Sequence, residues 1–130
     1  LVKDIMLVGK KMPLININTN IVNAIKIITK KDLGVGIVTR NKMVVGVVSD
    51  GDIRRGSKKY SKKNKVSLLM SKKPFYVSEN TPASKALSIM SEKKITSLIV
   101  SSDMDYKKNK ISFKPKGLLH IHSLLKHGIK

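Results

Sequence analysis

VVGVVSDGDIRR, Val44 to Arg55, runs an apolar stretch into two aspartates around a glycine and then into two arginines. A β-branched arm that meets Ser-Asp-Gly-Asp reads as a strand passing straight into a helix, with acids in the first turn and bases after them. The acidic start admits three readings: a metal or acid–base carboxylate pair, a ligand clamp, or a capped helix. The same strand-to-helix pattern returns near the C-terminus, where Gly46-Val47-Val48-Ser49 is matched by Gly117-Leu118-Leu119-His120.

Working outward from this pair, a repeat fills the chain. Asn18-Thr19-Asn20-Ile21 through Val38 aligns with Asn80-Thr81-Pro82-Ala83 through Val100 at a constant offset of 62, so Ala24 meets Ala86, Ile28 meets Met90 and Leu33 meets Ile95. Upstream, Asp4-Ile5-Met6 pairs with Leu68-Leu69-Met70, and Pro13 with Pro74. Leu14 to Ile17 is extended, followed by Asn18 and Thr19 as candidate caps. Ile21, Ala24, Ile25 and Ile28 then mark one helix face, as do Ala83, Ala86, Leu87 and Met90. Val35 to Thr39 and Met43 to Val48, separated by Arg40-Asn41-Lys42, read as a hairpin. Its counterpart is Thr96 to Ser101 with Gly117 to His120, joined by a lysine-rich insertion, Asp103 to Lys116. Helices follow from near Asp50 and near Ile121. The expectation is an α+β fold of two β-α-β-β-α repeats, 1-60 and 61-130, packed as a pseudo-two-fold pair because neither small sheet can cover its own faces.

The bulk numbers agree with folding and restrict function. With 130 residues, 41% hydrophobic and 27% charged, the chain is ordinary for a globular domain. No apolar run can span a bilayer and no signal peptide is visible, so no membrane partner and a cytoplasmic location are expected. The absence of cysteine excludes disulfides and thiolate sites. A net charge of +19 raises nucleic acid as a partner. Against that, the charge is almost all scattered lysine, only Arg40, Arg54 and Arg55 are arginine, and aromatics are 4%. Phosphate forks and stacking platforms are therefore scarce, and nucleic acid is not expected as the main partner. The densest cluster, Lys58 to Lys65 around Tyr60, reads as a solvated linker.

The doubled β-α-β-β-α unit with Gly46-Val47-Val48-Ser49-Asp50-Gly51-Asp52-Ile53 after its last strand resembles a CBS domain pair, or Bateman module, over the whole chain. Asp4-Ile5-Met6, Leu33-Gly34, Ser49 to Arg55, Ile95-Thr96-Ser97-Leu98 and Leu119-His120-Ile121-His122-Ser123-Leu124-Leu125 together look like the C-terminal CBS pair of arabinose 5-phosphate isomerases. There the pair follows a catalytic sugar-isomerase (SIS) domain, which this chain lacks, and the start at Leu1 fits a fragment or incomplete gene. Ser49 to Arg55 alone also resembles CBS pairs beside sugar nucleotidyltransferases. The Leu-His-Ile-His ending favours the isomerases.

The resemblance implies a nucleotide held between repeats, with the hydroxyl at Ser49 near phosphate and the carboxylate at Asp52 on the ribose hydroxyls. Asp52 suits a diol as a bidentate acceptor, and Arg54 and Arg55 suit a phosphate. The structural alternative is equally specific: Ser49 and Asp52 have the spacing of a capping box, and acids in a first turn are stabilised without any ligand. In the second copy His120 stands where the hydroxyl belongs and Ser123 where the carboxylate belongs, so usual ribose binding is not expected there. His120, His122 and Ser123 remain ligand candidates. His120 and His122 with His127 are a weak metal set, and capping or interface roles are preferred, so no metal is expected.

No nucleophile, base and orienter assemble from these residues, so the chain is expected to be a regulatory module rather than an enzyme. The resemblance implies sensing of AMP, ATP or a CMP-activated sugar such as CMP-Kdo, regulation of an isomerase toward 3-deoxy-D-manno-octulosonate (Kdo) and lipopolysaccharide, and homodimers through the CBS pairs. The alternatives are a ligand-free oligomerisation module and the CBS pair of a nucleotidyltransferase.

Overall fold

The computed structural model describes residues 1–130. The hairpin of the opening stretch is formed by β2 (Val35–Arg40) and β3 (Met43–Ser49), antiparallel. Asn41 and Lys42 join them with φ of 50° and 67°. Two successive left-handed residues match the twist of the arms, and asparagine tolerates that conformation well. Strand β1 (Leu14–Asn16) pairs in parallel with β2, Leu14 opposite Ile37 and Asn16 opposite Thr39. A parallel neighbour needs a crossover, which is α1 (Ile21–Lys31). Its face of Ile21, Ala24 and Ile28 is buried against Ile15, Val38 and Val48. The cap of α1 is Asn20, whose side chain accepts a hydrogen bond from the Asn23 amide at 3.0 Å, and not Asn18 or Thr19. Asn18 instead donates its amide to the Asn16 side chain, shaping the turn ahead of the helix. Helix α2 (Asp50–Gly56) follows β3 directly.

The second repeat has the same order: β4 (Tyr76–Ser78), α3 (Ala83–Lys93), β5 (Ser97–Ser101), β6 (Gly117–His120) and α5 (Ile121–Lys126). Its sheet is ordered β4-β5-β6, as the first is β1-β2-β3, with one parallel and one antiparallel pairing each. The α+β class and the doubled unit are thus as expected.

Where Asn41 and Lys42 make a tight turn, residues 102–116 build a structured excursion. It contains α4 (Asp103–Lys107), capped by Ser102, which accepts from the Asp105 amide at 3.1 Å. The insertion carries Phe113, 1% exposed, its ring tilted against that of Tyr76 at 4.3 Å; the other ring beside Tyr76 is Tyr106 at 5.7 Å. Tyr76 also donates its hydroxyl to the Lys110 carbonyl at 2.8 Å. The lysines of this segment stand in solvent, while its aromatic residues tie it to β4.

The repeat boundary in sequence is not the boundary in space. One compact unit is Pro13–Pro74, and the other is Leu1–Met12 together with Phe75–Lys130. The cause is an exchange of leaders. Leu7 forms an antiparallel bridge with Leu118 on β6, both hydrogen bonds being 2.9 Å, and Val2 is fully buried in the core of Val77, Leu98 and Leu119. In the Pro13–Pro74 unit, Ser71 bridges Val47 on β3 in the same manner, at 2.8 and 3.0 Å. Glycine makes each bridge possible. A Cβ at Gly117 would lie 2.6 Å from Met6 Sδ and 2.7 Å from the Leu7 carbonyl oxygen. One at Gly46 would lie 2.6 Å from Met70 Sδ and 2.8 Å from that of Ser71. The Lys58–Lys65 segment runs through turns, with Tyr60 packed against the first core and Lys65 Nζ donating to the Asn18 carbonyl at 2.9 Å. No helix is long and apolar enough to cross a membrane.

Candidate functional site

The two strand-to-helix junctions hold all the residues singled out from sequence, three of them in close contact at the first. Strand β3 ends at Ser49 in extended conformation and α2 begins at Asp50, so Ser49 is the cap. Ser49 Oγ accepts from the Asp52 amide at 3.1 Å, and Asp52 Oδ2 accepts from the Ser49 amide at 2.9 Å. This is a reciprocal capping box, and it satisfies two of the amides that a helix start leaves open. The second carboxylate oxygen, Oδ1, accepts from Arg55 Nη2 at 2.7 Å. Asp52 is largely covered, its side chain 18% exposed, whereas that of Arg55 is 68% exposed. Arg54 is exposed, and its carbonyl accepts from Ser57 Oγ at 2.8 Å. Asp50 is exposed and donates its amide to the Gly34 carbonyl, while both oxygens of Asp52 are engaged by Ser49 and Arg55.

At the second junction β6 ends at His120, which caps α5: its Nδ1 accepts from the His122 amide at 3.2 Å. His120 is 6% exposed, and its ring meets that of the exposed His122 edge-on at 4.5 Å. Ser123 takes the position of Asp52 but returns no carboxylate. Its carbonyl lies 2.8 Å from His127 Nδ1, so His127 is turned along α5 and away from a shared site with the other two rings. No group of three His, Asp or Glu side chains is placed to hold a metal ion.

The perturbed acid lies in the insertion, which the sequence marks only as the lysine-rich join of the second hairpin. Asp103 Oδ1 accepts from Ser78 Oγ at 2.7 Å and Oδ2 faces Lys107 Nζ at 2.9 Å. The hydrogen bond from Ser78, with help from Lys107, holds its carboxyl below the usual aspartate range. Burial pushes the Tyr76 hydroxyl up, assisted by Tyr106 and Asp105. The signal for α4 was present in Ser102-Asp103-Met104-Asp105, a cap followed by first-turn acids.

Comparison with known proteins places these junctions in a family. The CBS domain model matches residues 2–59 and 66–130. An uncharacterized protein of Rickettsia prowazekii is 34% identical over 98% of this chain, which covers 38% of that protein. Arabinose 5-phosphate isomerase KdsD of Pseudomonas aeruginosa is 30% identical over 98% of the chain, again covering 38% of the relative. The chain therefore spans less than two fifths of the length of these curated relatives. Among solved structures, CBSX2 in complex with AMP superposes with a TM-score of 0.80 at 23% identity, over 98% of this chain and 94% of that one. The CBS domain pair of protein MJ0100, in complex with 5′-methylthioadenosine and S-adenosyl-L-methionine, gives 0.78 at 20% identity, over 98% and 94%. With the repeat, the two matched sheets and the family match in agreement, the chain belongs to the CBS domain family and carries a tandem pair of CBS domains.

Proposed function

We propose that this CBS pair is a regulatory module that binds an adenine or cytidine nucleotide at the first junction and acts on a sugar-phosphate isomerase. The observation that carries the reading is the placement of Ser49 and Asp52. Ser49 Oγ only accepts within the capping box, so its own proton remains to be donated to a phosphate oxygen. Asp52, one turn on, offers its carboxylate to a ribose diol. The second junction lacks that acceptor, since Ser123 replaces the carboxylate, so one ribose site per chain is expected. AMP, ATP and a CMP-activated sugar such as CMP-Kdo are the candidate ligands. The similarity to KdsD supports an SIS isomerase domain as the partner, a place in Kdo synthesis, and self-association through CBS pairs in the cytoplasm.

Titration calorimetry with AMP, ATP, CMP and CMP-Kdo tests the reading: at least one binds, and Asp52→Ala abolishes the heat. A well-folded protein that gives no heat with any of them overturns it. A second reading has its own observation. The capping box accounts for Ser49 and Asp52 without a ligand, which favours a structural module that joins isomerase subunits. That reading predicts an oligomer whose mass and melting temperature ignore every nucleotide.

A further inference from the structure

Each oxygen of the Asp52 carboxylate already accepts one hydrogen bond. Oδ2 is held by the Ser49 amide at 2.9 Å, a bond that fixes the helix start. Oδ1 is held by Arg55 Nη2 at 2.7 Å. A diol that approaches Asp52 therefore meets Oδ1, the oxygen that Arg55 occupies. The guanidinium also lies over Gly51. A Cβ placed there would be 3.1 Å from Arg55 Nη1, 3.6 Å from Nη2 and 3.6 Å from Ser49 Oγ. Arg55 and the Ser49 hydroxyl thus flank the same short stretch of backbone, which carries no side chain to keep a ligand away.

We infer that Arg55 sets the ligand specificity of this junction: it occupies Asp52 in the free protein and yields it to a ligand whose phosphate takes the guanidinium in exchange. The inference rests on the reading of Ser49 and Asp52 as nucleotide contacts. A bare nucleoside competes with Arg55 for the carboxylate and offers it nothing. A nucleoside monophosphate brings a diol for Asp52 and an anion for Arg55, and the planar fork of the guanidinium suits two phosphate oxygens at once. The exchange is feasible because the arginine that must let go is 68% exposed, and ion pairs with an exposed partner are weak. The site class is thus a phosphorylated nucleoside, with the base-bearing nucleoside alone as a poor ligand.

Calorimetry with AMP and adenosine on the full chain and on Arg55→Ala and Arg55→Lys tests this. Arg55→Ala is expected to bind adenosine about two- to five-fold more tightly, because an exposed competing pair is gone. It is expected to bind AMP roughly tenfold or more weakly, through loss of a charged phosphate contact. Arg55→Lys retains part of the preference for AMP, as a point charge without a fork. Equal weakening of both ligands would show that Arg55 only steadies Asp52 and would overturn the inference, as would an unchanged ratio. Where only the cytidine nucleotide binds, CMP and cytidine take the place of AMP and adenosine; if AMP, ATP, CMP and CMP-Kdo all leave wild type without heat, or if Asp52→Ala leaves nucleotide binding intact, the reading of the junction itself fails, and the specificity role falls with it. A loss of preference in Arg55→Ala with Asp52→Ala abolishing binding upholds both.

Discussion

The two repeats close the same junction with different chemistry. In the first, Ser49 and Asp52 exchange hydrogen bonds with each other's amides, and Arg55 completes the carboxylate. In the second, His120 accepts from the His122 amide with a ring nitrogen, and the carboxylate is gone. Yet β3 and β6 stop at equivalent residues and α2 and α5 start directly after them. The backbone of the junction is therefore fixed by what lies beneath it: the Gly46 and Gly117 bridges and the buried Val48 and Leu119. Cap chemistry is free to vary on top of that frame, so a recognition site can be kept in one copy and dismantled in the other without disturbing the fold.

The hairpin connections differ more, and the sharpest way to break the comparison is there. If the excursion of residues 102–116 were only a longer loop, removing Phe113 would be cheap. Phe113 is 1% exposed and its ring lies against that of Tyr76, so Phe113→Ala is expected to lower stability by about 3–5 kcal/mol, read from urea unfolding. At the tip of the first hairpin Asn41 sits at φ 50°, where glycine is at ease, and Asn41→Gly is expected to change stability by less than about 1 kcal/mol. A Phe113→Ala cost no larger than that of Asn41→Gly would show that the insertion is not part of the core.

The leader bridges, by contrast, are alike, and their likeness can be tested. Gly46→Ala and Gly117→Ala each drive a Cβ against a methionine sulfur and a backbone oxygen, and each should cost roughly 1–3 kcal/mol. Hydrogen exchange reads them separately. Gly46→Ala should deprotect the Val47 and Ser71 amides, and Gly117→Ala those of Leu7 and Leu118. Deprotection of all four amides by either variant would mean that the two bridges open as one.

What the sequence disclosed follows from where its signals are strong. The offset between Ala24 and Ala86 set α1 and β2 in register with α3 and β5, because apolar periodicity in two copies confirms itself; Gly117–His120 and the start at Ile21 emerge residue for residue. Caps were less legible. Asn18, Thr19 and Asn20 are all capping types in a row, and only the geometry of the turn selects Asn20. Leader exchange left no trace at all, since Met6 and Met70 are the same side chain and Gly46 and Gly117 offer the same gap; repeat identity conceals which leader seats on which strand. In the candidate site, the reciprocal hydrogen bonds of Ser49 and Asp52 were readable from their spacing, whereas Arg55, read there as a phosphate contact, turns out to hold Asp52 three residues before it. The Ser78–Asp103 contact was not, because its residues are 25 apart and one lies in a lysine-rich stretch.

That contact supplies the smallest effect and the finest distinction between the copies. Asn16 and Ser78 are equivalent residues at the ends of β1 and β4. Each accepts a hydrogen bond from the amide two residues on, Asn18 at 2.8 Å and Asn80 at 3.1 Å. A serine hydroxyl that accepts still has a proton to give, and Ser78 donates its own to Asp103 at 2.7 Å. Protonating Asp103 weakens that bond and the pairing with Lys107, which is why its carboxyl titrates below the ordinary value of 3.8. The unfolded chain then binds a proton at a higher pH than the folded one. The resulting stabilisation is fully present above the unfolded-chain value and is lost as pH falls through the lower, folded one. Melting temperatures followed from pH 6 to pH 2 should thus show the gap between wild type and Asp103→Asn constant above about pH 5 and shrinking below about pH 4. Asn16→Ser in the first repeat should shift the melting temperature by an amount that does not change with pH, because no acid waits for the proton it would donate. A gap for Asp103→Asn that is equally flat would show that the bond from Ser78 to Asp103 does not distinguish the charged carboxylate from the neutral acid.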